Sequence, residues 1–328
     1  MRYCYVAIST LLVAFSLVGC DSDSDQTSDR DPSQPYMIVT TCSMVTDIVR
    51  QVAGDHAEVI GLMNEGVDPH LYKPTRDDMN TLFDADIVFY VGLMLEGRMT
   101  DSFVSVSRAD IPVFPVTEGL DKSKLREPPE FAGHYDPHVW MDVSIWSECV
   151  AFVADKLAEF DPTHADDYQT NAKVYRAELN NLHEYTKKSI ATIPESSRVL
   201  ITAHDAFGYF SDVYNIPVQA LQGITTEAEA SVDDVNQLVS FLVERKIGAI
   251  FVESSVNQEG IKALLEGCES RGHKVVIGGE LFSDAMGEAG TYIGTYVGMM
   301  DHNATTITRA LGGDAPEEGF HGKLKTVE

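Results

Sequence analysis

Met37-Ile38-Val39-Thr40-Thr41-Cys42-Ser43-Met44-Val45-Thr46-Asp47-Ile48-Val49-Arg50-Gln51-Val52 joins two periods in one stretch. Residues 37–41 form a short apolar run that suits a strand, and residues 43–52 read as a capped helix. A second strand is expected at 57–62, with others at 87–91 and 113–116 and helical stretches between them. This alternation builds a parallel sheet covered by helices. Ligands bind such sheets at the loops that follow the strand ends.

Working outward, the pattern changes after residue 142. Residues 143–160 read as an amphipathic helix with Val150, Val153 and Leu157 on one stripe, stopped by Asp161-Pro162. Residues 163–192 are helical again and mostly polar, with Leu179, Leu182 and Ile190 as sparse apolar anchors and Pro194 as the stop. Thirty helical residues span about 45 Å. Without sustained heptads, such a helix reads as a connecting backbone and not as a coiled-coil strand. A second α/β run follows, with strands at 198–202, 218–221, 248–252 and 274–277. Its helices fall at 232–246, 261–271 and 292–311. The Gly-, Pro- and Glu-rich end beyond 312 is expected to fray. The chain therefore reads as two similar α/β lobes, 36–162 and 194–312, joined by a linking helix at 163–193 and followed by a tail at 313–328.

The first residues read as an export signal. Arg2 supplies positive charge, and 6–18 is apolar but short for a membrane span. Leu17-Val18-Gly19-Cys20 resembles a bacterial lipobox with Cys20 as the acylated residue. Residues 20–35 are an acidic, polar stretch that reads as a disordered tether. Without residues 1–19 the chain has 23 Lys and Arg against 51 Asp and Glu, a formal charge of −28. So acidic a surface disfavours nucleic acid and anionic headgroups. Cys42, Cys149 and Cys268 are widely spaced with no C-x-x-C pair, and read as buried small hydrophobes.

Candidate chemistry lies in Asp68-Pro69-His70 and Asp136-Pro137-His138, one tripeptide written twice. Proline stiffens each turn and pushes the preceding Asp into extended geometry, so each imidazole is presented from a fixed loop. Histidine is the commonest protein ligand for transition metals. His204 follows a predicted strand in the same manner, and Asp284 follows the last one. Taken singly, an Asp-Pro turn, a buried histidine and an Asp helix cap would explain each without a metal.

Together with His204-Asp205-Ala206-Phe207-Gly208-Tyr209-Phe210, Phe251-Val252-Glu253-Ser254-Ser255 and Gly279-Glu280-Leu281-Phe282-Ser283-Asp284-Ala285-Met286-Gly287, the two tripeptides carry a resemblance. The chain resembles the zinc/manganese-binding lipoprotein receptors of metal ABC importers, in the TroA-like branch of the cluster 9 family, from about residue 36 to 311. The resemblance implies two (β/α)₄ lobes joined by one rigid helix, with the metal held between them by His70, His138, His204 and Asp284. Three imidazoles and a carboxylate suit Zn²⁺, and a bidentate Asp gives the five-coordinate shell that Mn²⁺ or Fe²⁺ accepts. Manganese-preferring branches have Glu where His204 stands. Zinc-specific branches carry a long His-rich loop where residues 117–135 hold only His134. Zinc and manganese are thus both expected cargoes.

Asp142, Asp205, Glu253 and Glu280 are the candidate partners for the outer imidazole nitrogens. His56, His164, His183, His273, His302 and His321 read as surface or structural. The resemblance further implies a monomeric receptor, anchored by lipid and facing the periplasm or exterior, that passes its ion to a permease driven by a separate ATPase. No P-loop is present to energise transport. A zinc hydrolase and a surface adhesin are the alternatives; a hydrolase would need an open metal position and a general base.

Overall fold

The computed structural model describes residues 35–324. The expected export signal, Cys20 and nearly all of the tether lie outside the described residues. The first lobe is built from β1 (Tyr36–Thr40), α1 (Ser43–Ala53), β2 (Ala57–Gly61), α2 (Arg76–Asp84), β3 (Ile87–Tyr90), α3 (Thr100–Ser107) and β4 (Val113–Pro115). Its four strands are all parallel, in the order β2-β1-β3-β4. Central β1 sets Val39 against Ile60 on one side and Val88 on the other. Ile38 and Val39 are fully buried, as a near-continuous apolar run in a parallel sheet requires. Pro115, which cannot donate to a ladder, falls at the end of edge strand β4.

Next come α4 (Val143–Phe160) and α5 (Ala165–Ala191). Asp142 caps α4 by accepting from Ser144 N at 2.8 Å and Ile145 N at 3.4 Å, and Asp161-Pro162 breaks the chain before α5. The 27 residues of α5 reach about 40 Å. Its anchors Leu179, Leu182 and Ile190 are fully buried, and Tyr168 and Tyr175 join them.

The second lobe contains β5 (Leu200–His204), α6 (Gly208–Tyr214), β6 (Val218–Gln222), α7 (Val232–Arg245), β7 (Ala249–Glu253), α8 (Glu259–Ser270), β8 (Val276–Leu281) and α9 (Tyr296–Ala310). Its strands form two parallel pairs, β5-β6 and β7-β8. Where β5 runs beside β7, the Glu253 side chain takes the backbone N–H groups of Ala203 at 2.7 Å and His204 at 3.0 Å. A carboxylate thus stands in for a ladder at the strand ends.

One apolar core runs from Tyr36 and Met44 of the first lobe through Leu179 and Leu182 to Phe251 and Met299 of the second. A smaller core lies under α7 and α8, around Ile201, Leu242, Ile250 and Leu264. Cys42, Cys149 and Cys268 are buried and unbridged. The expectation of a fraying end is corrected for residues 312–324. Phe320 packs against Tyr185 and its N–H donates to Asp301 at 2.8 Å, because aromatic burial there outweighs the Gly- and Pro-rich composition.

Candidate metal centre

Two of the four predicted residues, His204 and Asp284, sit at or just beyond a strand end, and the two Asp-Pro-His histidines lie in longer loops. His70 lies in the loop after β2, His138 before the short turn that leads into α4, His204 is the last residue of β5, and Asp284 follows β8. They come from both lobes and meet. Ligand-capable atoms of His70, His138, His204 and Asp284 all lie within 4.8 Å of one another, the one such grouping among the described residues. His70 Nε2 is 3.3 Å from His138 Nε2 and 3.7 Å from Asp284 Oδ2. Asp284 Oδ1 is 3.4 Å from His138 Nε2, and Oδ2 is 3.2 Å from His204 Nε2. All four are buried, at 4%, 0%, 0% and 1% exposure in chain order.

The outer nitrogens fix which atoms face inward. His138 Nδ1 meets Asp136 Oδ1 at 2.8 Å, and His204 Nδ1 meets Glu253 Oε2 at 2.6 Å. A carboxylate only accepts, so Nδ1 carries the proton and the Nε2 lone pair of a neutral ring points at its neighbours. Asp136 also accepts the His138 backbone N–H at 3.0 Å, and Asp68 accepts that of His70 at 2.8 Å. Each Asp-Pro-His is thus a turn closed by its own aspartate.

The Asp284 loop is held from three directions. Trp140 Nε1 donates to Ser283 O at 2.8 Å, and Ser43 Oγ accepts from Met286 N at 3.0 Å. Asn303 of α9 donates to Phe282 O at 2.7 Å and accepts from Phe282 N at 2.9 Å. No helix begins at Asp284, so the cap reading of that residue fails; the next helix starts at Tyr296.

His204 Nε2 and both Asp284 oxygens are buried without a hydrogen bond of acceptable geometry, although they face each other. Buried polar atoms are nearly always satisfied, so three such atoms on one centre call for a missing partner. The surroundings favour positive charge. Burial pushes the His138 imidazole down, but the Asp136 hydrogen bond and Asp284 together outweigh it and hold it at about 9. Burial likewise opposes a charge on His204, yet Asp284 and Glu253 raise it well above its ordinary value. Asp284 is pushed up by burial, but the His204 and His138 imidazoles bring it well below the usual carboxylate range. His70, lacking a carboxylate on its outer nitrogen, is driven by burial to about 3. A cation bound by three lone pairs and one carboxylate meets the same demand with every donor atom used.

Of the candidate outer partners, Glu253 alone reaches an imidazole of the cluster. Asp142 is occupied as the cap of α4. Asp205 is turned toward a cavity bordered by Arg126 and Glu130, and Glu280 is exposed on β8. Asp136, two residues before His138 in the same tripeptide, is an outer partner absent from the four expected carboxylates. Trp140, Asn303 and Ser43 carry no local signal. The remaining histidines are elsewhere: His56 is stacked on His164, His183 lies by Tyr214, and His273 and His302 meet the carbonyls of Ile247 and Glu280. His321 pairs with Glu178.

The chain is 43% identical over 303 residues to the manganese-binding lipoprotein MntA of Bacillus subtilis, covering 92% of this chain and 97% of that protein. It is 42% identical over 287 residues to the zinc-binding protein TroA of Treponema pallidum, covering 88% and 91%. The solved structure of the periplasmic zinc-binding protein TroA from Treponema pallidum superimposes with a TM-score of 0.82, covering 85% of this chain and 99% of that one. The family described as zinc-uptake complex component A, periplasmic, matches residues 38–310, and the chain belongs to it.

Proposed function

We propose that this chain captures a divalent transition metal, Zn²⁺ or Mn²⁺, between its two lobes and delivers it to an ABC permease powered by a separate ATPase. His70, His138, His204 and Asp284 are the ligands in this reading. One observation carries it: three inward imidazoles and a carboxylate from both lobes converge in a buried site where three polar atoms have no hydrogen bond. The family is one of solute-binding receptors, and relatives named as a manganese-binding lipoprotein and a zinc-binding protein support both ions as cargo. With residues 36–162 and 194–312 as the lobes and 163–193 as the link, the ion would be shared across the cleft. The chain would act as a monomer in the cell envelope, held by a lipid on Cys20. Among the described residues no helix is long and apolar enough to cross a membrane.

Titration of purified chain with Zn²⁺ and Mn²⁺ against a fluorescent chelator tests the site. One ion per chain is expected, with His138→Ala, His204→Ala and Asp284→Ala each weakening it at least a hundredfold, as loss of a direct ligand requires. His183→Ala should leave the affinity unchanged. A His204→Ala protein that binds as tightly as the parent would remove His204 from the site and sink the four-ligand reading.

A further inference from the structure

We propose that metal enters and leaves past His70, and that Thr226 and Glu227 of the second lobe latch that side shut against Asp68 and Arg98 of the first. The inference rests on reading the four convergent residues as a metal site. His138, His204 and Asp284 are walled in, whereas His70 borders a cavity of about 380 Å³ that opens between Met94, Arg98, Phe131, His134 and Glu227. Met94 at its rim is 58% exposed. The shortest way out of the cluster therefore runs along His70.

Two bonds from neighbouring residues close this side. The Thr226 hydroxyl donates to Asp68 Oδ2, while Asp68 Oδ1 holds the His70 N–H at 2.8 Å. Arg98 Nε donates to Glu227 Oε1 at 3.1 Å, and its guanidinium also reaches Leu71 O, next to His70, at 3.3 Å. Both ties grip the His70 turn, and both come from the irregular stretch between β6 and α7. One is a partly exposed ion pair, which is weak and opens readily.

The second Asp-Pro-His turn shows what a permanent fixture looks like. Asp136 is fully buried and holds His138 through both its backbone N–H and Nδ1. Its other oxygen accepts from Arg126 at 2.7 Å; Arg126 also pairs with Asp212 at 2.8 Å, and Tyr209 donates to the Asp136 carbonyl at 3.0 Å. His70 has no carboxylate on its outer ring nitrogen. One tripeptide is thus bolted and the other latched, so His70 is the ligand free to swing aside.

Stopped-flow transfer of Zn²⁺ from the loaded full chain to excess chromophoric chelator tests this. Visible absorption of the Co²⁺-loaded chain monitors the ligand set. The double variant Thr226→Val, Glu227→Gln should release Zn²⁺ about tenfold faster, with the Co²⁺ spectrum unchanged. Asp212→Asn, on the bolted side, should release at the parental rate. An unaltered rate in the double variant overturns the latch, and so does an equal acceleration in Asp212→Asn, which would mean general loosening between lobes. A parent chain that takes up neither ion would instead overturn the metal-site reading beneath it.

Discussion

Asp136 and Glu253 perform the same task from opposite lobes. Each is buried, takes the outer N–H of a histidine and aims the other nitrogen at Asp284. Removing such a partner costs about 10–100-fold in metal affinity, because the ring loses its preferred tautomer and orientation. Asp136→Ala and Glu253→Ala should therefore each weaken Zn²⁺ by about that factor in chelator competition. Glu280→Ala should not, and Asp142→Ala should cost about 1 kcal/mol of stability as a lost cap with affinity unchanged. A larger affinity loss from Asp142 than from Asp136 would reverse the assignment. The four inward residues were legible through the family resemblance, and only the two Asp-Pro-His tripeptides gave a mechanical reason to present an imidazole. Sequence did not show which carboxylate serves which ring. The Glu253 partner is 49 residues from His204 along the chain, and only the placement of β7 beside β5 brings them together.

Element boundaries set by local chemistry fall where the sequence places them, and those set by tertiary contact do not. Helix α4 runs over Val143–Phe160 as expected, because Asp142 caps one end and Asp161-Pro162 stops the other. Strand β5 continues to His204, beyond the expected end at 202, because His204 still pairs with Gln222 of β6 while Glu253 accepts the last N–H groups on its other side. Strand β8 runs on to Leu281 through Gly278-Gly279, whose missing side chains hide the strand period and accompany a register shift against β7. Beyond β8 the chain is irregular, and Asp284 depends on braces from other elements. Asn303→Ala removes both bonds to Phe282, leaving a buried N–H and a buried C=O unpaired, at about 1–3 kcal/mol each. The expected outcome is a lower urea midpoint together with weaker Zn²⁺ binding, because the loop carrying Asp284 loses its tether to α9. If the midpoint fell while affinity held, the loop would be positioned by Trp140 and Ser43 alone.

Across the whole molecule, α5 does more than the connecting rod that its sparse apolar residues suggested. Its Tyr175 hydroxyl donates to Asp47 of α1 at 2.6 Å, and the backbone of Tyr296, where α9 begins, also bonds that carboxylate. One buried acid thus joins an element of each lobe to the linking helix, which fits a core that is continuous between the lobes. Burial is the largest influence on Asp47 and raises it to about 6, against the opposing bonds from Tyr175 and Tyr296. A folded-state value above the unfolded one means that the protonated acid is the form the fold favours. Its contribution is complete below about pH 4 and is lost as pH rises through about 6, amounting to roughly 3 kcal/mol over that window. Asp47→Asn keeps an acceptor for Tyr175 and cannot ionise. In urea unfolding of metal-free protein, the variant should gain on the parent by roughly 2 kcal/mol between pH 4.5 and 7.5, whatever its offset at the lower pH. A difference between variant and parent that stays constant over this range would show that Asp47 ionises in the fold as freely as in the unfolded chain, and the junction would then be held by packing alone.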